Sequence, residues 1–129
     1  MVPISETLDE TQTQACQKIL QDLVMNNDII DTAILSSPDG ILVASAGIDT
    51  ELDVVAAMSA SLISLSDAIS SRTEDGRCHK AFCESDDSLA VVIHAGEHIL
   101  TVIGKPESNM GMILTQAKTT GKSICAVTQ

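Results

Sequence analysis

Aromatic side chains are almost missing from this chain: Phe82 is the only one, and there is no Trp or Tyr. Positive charge is scarce too, with Lys plus Arg at 7 against Asp plus Glu at 18, for a formal net charge of −11 over 129 residues. A nucleic-acid binder needs a basic footprint, and single-strand readers add stacking aromatics, so both classes are disfavoured. An anionic membrane surface would repel the chain for the same reason. The N-terminus, Met1-Val2-Pro3-Ile4-Ser5-Glu6, lacks the basic and apolar regions of a secretory leader. The longest stretch of low polarity, Val54 to Ser66, is interrupted by four serines and is too short to span a bilayer. A cytoplasmic protein is the expectation. Cys16, Cys78, Cys83 and Cys125 would permit two disulfides, but without a leader free thiols are expected.

What the sequence does have is aliphatic. Val, Ile, Leu, Ala and Met supply a core for one domain, expected over 1–129 with an ordered part at about 8–124. Leu8, Ala15, Ile19, Leu20 and Leu23 recur at helical spacing, predicting an amphipathic helix over Glu6 to Val24 that Asn26-Asn27 ends. Ile30 to Ser36 and Ile41 to Ala46 are apolar runs joined by Ser37-Pro38-Asp39-Gly40. Pro second and Gly fourth are turn chemistry, and Gly47 closes this hairpin. After a second helix come three strands: Cys78 to Glu84, Leu89 to Ala95 and Glu97 to Gly104. The last two are apolar at nearly every position, which calls for helices on both faces. The first alternates and carries Lys80 and Glu84, as an edge strand does. Ser108 to Lys122 is a third helix, capped by Ser108 or Asn109 and ended by Gly121. The fold class is therefore α/β, in the order α-β-β-α-β-β-β-α, a sandwich around a five-stranded antiparallel sheet.

The second helix, Thr50 to Ser70, is unusual. Thr50 caps it, and Glu51 and Asp53 suit its first turn. Val54, Val55, Met58, Leu62, Leu65 and Ile69 form a stripe of large residues. Ala56, Ala57, Ala60, Ser61, Ser64 and Ala68 form a stripe of small ones, and no charge falls between Asp53 and Asp67. Half-burial alone does not explain such a helix. The expectation is that the large face packs on the sheet and the small face meets a partner helix.

No chemistry-bearing constellation is complete. Gly121-Lys122-Ser123 resembles the end of a phosphate-binding loop, but the leading Gly is replaced by Gln116 and the tripeptide ends a helix. Cys78, His79 and Cys83 invite zinc, yet strand geometry sends 78 and 79, and 78 and 83, to opposite faces. His94 and His98 flank a tight turn, and if they paired their Cβ atoms would lie about 5 Å apart. No third ligand is arranged to join them. No nucleophile elbow or carboxylate pair is present. Arg72 and Arg77 lie near the loop after the second helix, where an arginine finger is conceivable but a solvated charge is the commoner meaning. No catalytic, metal or cofactor-binding residue is assigned.

Three stretches in this order resemble the Roadblock / dynein light chain family, including the bacterial MglB-like regulators. They are Ile34-Leu35-Ser36-Ser37-Pro38-Asp39-Gly40-Ile41-Leu42-Val43-Ala44-Ser45, the Ala- and Ser-rich helix after Asp49, and Asn109-Met110-Gly111-Met112-Ile113-Leu114. The resemblance covers about Leu8 to Ile124; the thin aromatic content and the short end after Lys122 depart from it. It implies a profilin-like sandwich with one long helix on one sheet face and two on the other. It also implies a dimer, with itself or with a Roadblock paralogue, in which second helices pack together and edge strands join. The interface would then use Ala56, Ala57, Ala60, Ser61, Ser64, Ala68, Lys80 and Phe82, with Asp53, Asp67 and Arg72 docking a further partner. By the same resemblance that partner is a Ras-like small GTPase, whose hydrolysis or localisation the dimer modulates while supplying no active site itself. Competing readings are a nucleotide-independent adaptor in a motor or signalling complex, and a small-ligand sensor.

Overall fold

A computed structural model describes residues 8–47, 51–73, 80–105 and 109–129. The elements run α1 (Glu10–Met25), β1 (Ile30–Ser36), β2 (Leu42–Gly47), α2 (Leu52–Thr73), β3 (Lys80–Glu84), β4 (Leu89–Ala95), β5 (His98–Gly104) and α3 (Met110–Thr128). The five strands form one antiparallel sheet in the spatial order β2-β1-β5-β4-β3. The expected element order and sheet therefore hold, and β3 is an edge.

Local chemistry accounts for the boundaries. Asp9 opens α1 with a reciprocal cap: its carboxylate accepts from Gln12 N at 2.7 Å, while Gln12 Oε1 accepts from Asp9 N at 3.0 Å. The helix thus starts later than the apolar spacing implied. In the β1–β2 turn Gly40 N donates to Ser37 O at 2.9 Å, with Gly40 at a φ of 85°. Asn109, one of the two expected caps, accepts from the backbone amides of Gly111 and Met112 at 2.7 and 3.3 Å. Ser108 and Thr50, expected at helix starts, lie outside the described residues, as do Arg77, Cys78 and His79.

Gly121 does not end α3, which runs on to Thr128. A Cβ there would lie 3.2 Å from Ile93 Cδ1, so the glycine serves close approach of helix to sheet. Ile113, Ala117, Thr120, Gly121 and Ile124 are buried along one helical stripe, and Ile124, fully buried, holds the extra turns in place.

The two faces of the sheet differ. Beneath α1 and α3 lies the main core, built on Leu20, Leu35, Val91, Leu100, Val102, Ile113 and Ile124, all fully buried. Beneath α2 the cluster is small: Ala60, Ile63, Ala81, Val92 and Ile99. β4 and β5 are buried on both sides, as their continuous apolar runs implied.

Candidate functional site

The outer face of α2 is the feature that the monomer leaves unfinished. Val54 is 51 % exposed, Met58 64 %, Leu65 61 % and Ile69 58 %. The buried residues of α2 are Ala56, Ser59, Ala60 and Ile63. The expected division of the helix is therefore reversed in part. Four of the large residues face outward, whereas Ala56 and Ala60, assigned to a partner, lie against the chain's own sheet.

The β1–β2 turn explains the reversal. A Cβ on Gly40 would come within 3.0 Å of Ala57 Cα and 3.2 Å of Ala60 Cβ. The turn presses onto α2, so small residues are required there to let the helix sit down. Ala57, Ser61, Ser64 and Ala68 remain exposed, and of the expected interface residues on α2 these keep a place on the accessible surface. Val54, Met58, Ser61, Leu65, Ala68 and Arg72 follow one another at intervals of four, three, four, three and four. That is the seam spacing of a helix packed lengthwise on another helix. The signal was in the sequence; sorting side chains by size instead of by that spacing hid it.

By length and composition alone α2 is long and apolar enough to cross a membrane. The helix reaches Thr73, several residues past the Ser66 limit of the low-polarity stretch. Its inner face is nonetheless packed on the sheet through Ala60 and Ile63, so it is a layer helix of the domain whose outer face is also apolar.

The proposed docking residues separate. Asp53 and Arg72 are exposed at the two ends of α2. Asp67 instead turns towards β4, its carboxylate 3.4 Å from His94 Nε2, and both side chains are partly buried. The pair is ionic only when His94 is protonated.

Lys80 and Phe82 lie on β3, paired with Ile93 and Val91, and so share the sheet face of α3. They sit at the open edge but not on the face that α2 covers. The other edge, β2, is bridged at one residue: Gln17 of α1 accepts from Ser45 N at 3.1 Å and donates back to Ser45 O. One amide thus occupies the backbone groups of Ser45 at the middle of β2, and β3 forms the opposite edge of the sheet.

His94 and His98 do not pair. His98 is opposite Ala95 and His94 opposite Ile99, so the two imidazoles lie on opposite faces. The cause is a two-residue turn opened by Gly96 at a φ of 66°. Burial pushes the His98 pKa below the usual histidine value, while Glu97 acts weakly the other way. Burial likewise raises the Cys16 thiol. Cys16, Cys83 and Cys125 are free, and among the described residues no group of three His, Cys, Asp or Glu side chains is placed to hold a metal.

A five-stranded antiparallel sheet with two helices on one face and one long helix on the other defines a profilin-like α/β sandwich. The Roadblock/LC7 domain model matches residues 17–104, and the chain belongs to that family. Its structure is similar to a Roadblock/LC7 domain from Streptomyces avermitilis, with 26% identity over 84% of this chain and 92% of that one and a TM-score of 0.78. It also resembles the gliding protein MglB of Thermus thermophilus (16% identity, 98% of each chain, TM-score 0.84). Myxococcus xanthus MglB is similar too, at 14% identity over 94% of this chain and 92% of that one, with a TM-score of 0.83. Acanthamoeba castellanii profilin IA shares the fold at 10% identity, 85% and 96% coverage and a TM-score of 0.65. Among curated proteins the chain has no sequence match.

Proposed function

We propose that this chain is a cytoplasmic regulator or adaptor that pairs through α2 and docks a Ras-like small GTPase, modulating its hydrolysis or localisation. The observation that carries the reading is the apolar seam on α2, exposed along three helical turns in a domain of the Roadblock/LC7 family. An apolar strip of that length is costly to leave in water, and a second copy or a paralogue covers it. The open β3 edge gives the pair a second contact, by extending the sheet. A structural relative in the same fold is described as MglB with a tetrameric arrangement, at 18% identity and a TM-score of 0.85, which is consistent with self-association.

In this reading the chain supplies no catalytic group. Its contribution is to bind one arrangement of the GTPase better than the other, which is the only way a partner shifts such an equilibrium. Asp53 and Arg72, at the ends of α2, are the exposed charges placed to register that partner.

The test is retention of proteins from the source lysate on the immobilised chain, once with a non-hydrolysable GTP analogue and once with GDP. A small GTPase held mainly with the analogue supports regulation of the active form. Equal retention with both nucleotides makes the chain a tether. A stable partner that is no GTPase replaces this reading with the nucleotide-independent adaptor.

A further inference from the structure

On the sheet face opposite α2, a groove of about 590 Å³ runs between β3, the end of β4 and the C-terminal half of α3. Lys118 and Lys122 of α3 form one bank and Lys80 of β3 the other, over a floor that includes Ile93, Cys125 and Ala126. Three of the chain's seven Lys and Arg residues meet here, and although it has 18 acidic residues, none of the described lining residues is Asp or Glu.

Ordinary surface economy does not explain this. Lys118 and Lys122 are four apart on one helix, an arrangement in which like charges repel. Neither has an ion-pair partner among the described residues. The helix dipole does not account for them either, since the last turn of α3 carries no basic residue and these two lie upstream of it.

We infer that this groove is a docking site for an acidic, partly apolar peptide segment of a partner protein, separate from the α2 face and beside the β3 edge. Its open form and mixed lining of lysines and apolar side chains suit a chain segment better than a compact ion. Phe82, two residues from Lys80 on the same strand face and 37 % exposed, extends the floor with an apolar surface along the open edge. Carboxylates of the segment pair with the ammonium groups of Lys118 and Lys122, and its apolar side chains cover Ile93, Ala126 and Phe82.

The test uses the full chain, isotope-labelled, with its amide spectrum followed on adding a short peptide of alternating Glu and Leu at low salt. The expected result is saturable shifts at Lys80, Ile93, Gly121, Lys122 and Ala126, with affinity falling as salt is raised. The double variant Lys118→Glu with Lys122→Glu weakens binding at least about tenfold, the scale of lost charge pairing at an interface. Both positions are exposed, so an unchanged thermal midpoint shows that the variant folds. The same peptide with Gln for Glu does not bind. The inference is overturned by shifts confined to α2, by unaltered affinity in the double variant, or by equal binding of the Gln peptide. Saturation of the same amides by inorganic phosphate or duplex DNA at equal concentration overturns it in favour of a general anion surface. A change in the oligomeric mass of the double variant overturns it in favour of a second copy of this chain.

Discussion

The two faces of the sheet are built to different standards. Under α1 and α3 the side chains are large, interlocked and dry: Leu20, Leu35, Leu100, Val102 and Ile113 have no exposed surface. Under α2 the contact is thin, depends on alanines, and leaves Ser36 Oγ and Thr101 Oγ1 buried without a hydrogen-bond partner among the described residues. Those hydroxyls lie on the α2 side, opposite Ile99 and Val92. Yet α2 is the longest helix and its outside is the more apolar one. One face makes the domain, and the other carries the seam through which pairing is proposed. Stability and association therefore reside in different residues, and substitutions should separate them.

The largest effect is expected on the first face. Leu20→Ala deletes a fully buried side chain in the main cluster and should cost about 3–5 kcal/mol in urea denaturation. Ile63→Ala, the matching truncation under α2, should cost about 2 kcal/mol, because the smaller cluster around it can settle. Equal losses at matched protein concentration would erase the distinction between the faces.

Next come two arginines placed on the same helix. Ala60 is 6 % exposed and packed against the β1–β2 turn, so Ala60→Arg forces a charge and a long side chain into a closed space. Unfolding by about 3 kcal/mol or more is expected. Ser64 is exposed, and Ser64→Arg should leave stability within about 0.5 kcal/mol of the parent. The family resemblance assigned both positions to the interface; the fold makes the first a test of the domain. Circular dichroism melts of the two variants decide it, and similar midpoints would return Ala60 to the partner face.

Leu65→Glu breaks the comparison from the other side. Leu65 is 61 % exposed on the seam, so the folded monomer should lose no more than about 0.5 kcal/mol. In the proposed pair the same carboxylate is buried against its counterpart, removing about 2 kcal/mol of association. Sedimentation should show the mass fall to that of one chain while the spectrum stays native. A dimer surviving this substitution would place the contact elsewhere.

These contrasts mark what the sequence could and could not convey. Strand runs such as Leu89–Ala95 were legible because continuous aliphatic residues have few other uses, and Pro38 with Gly40 announced its turn directly. The orientation of α2 was not legible from residue size. Its alanines answer to Gly40, a residue outside the helix, and only the tertiary approach of that turn reveals why they must be small. Gly121 misled for the same reason: a glycine in a helix reads as a stop until Ile93 is seen against it. The lysine groove was invisible in the sequence, since Lys80 and Lys118 are far apart until the sheet and α3 bring them together.

The smallest effect concerns acid, and it belongs to the well-packed face. His98 pairs with Ala95 on the side of α1 and α3, is 7 % exposed, and its Nδ1 has no partner among the described residues. Burial holds its pKa below the value near 6.5 expected of the unfolded chain, with Glu97 opposing the shift. Above that value both states carry a neutral ring and the residue adds no pH dependence. As pH falls through about 6.5 the unfolded state takes up the proton first, so stability declines until the folded ring is protonated too. Urea midpoints of the parent should therefore drop more steeply between about pH 7 and 5 than those of His98→Gln. Glu97→Gln should steepen the decline further, because the one influence favouring the charged ring is gone. Parallel curves for parent and His98→Gln would mean that the ring reaches water in the native state and that this face is less dry than its packing shows.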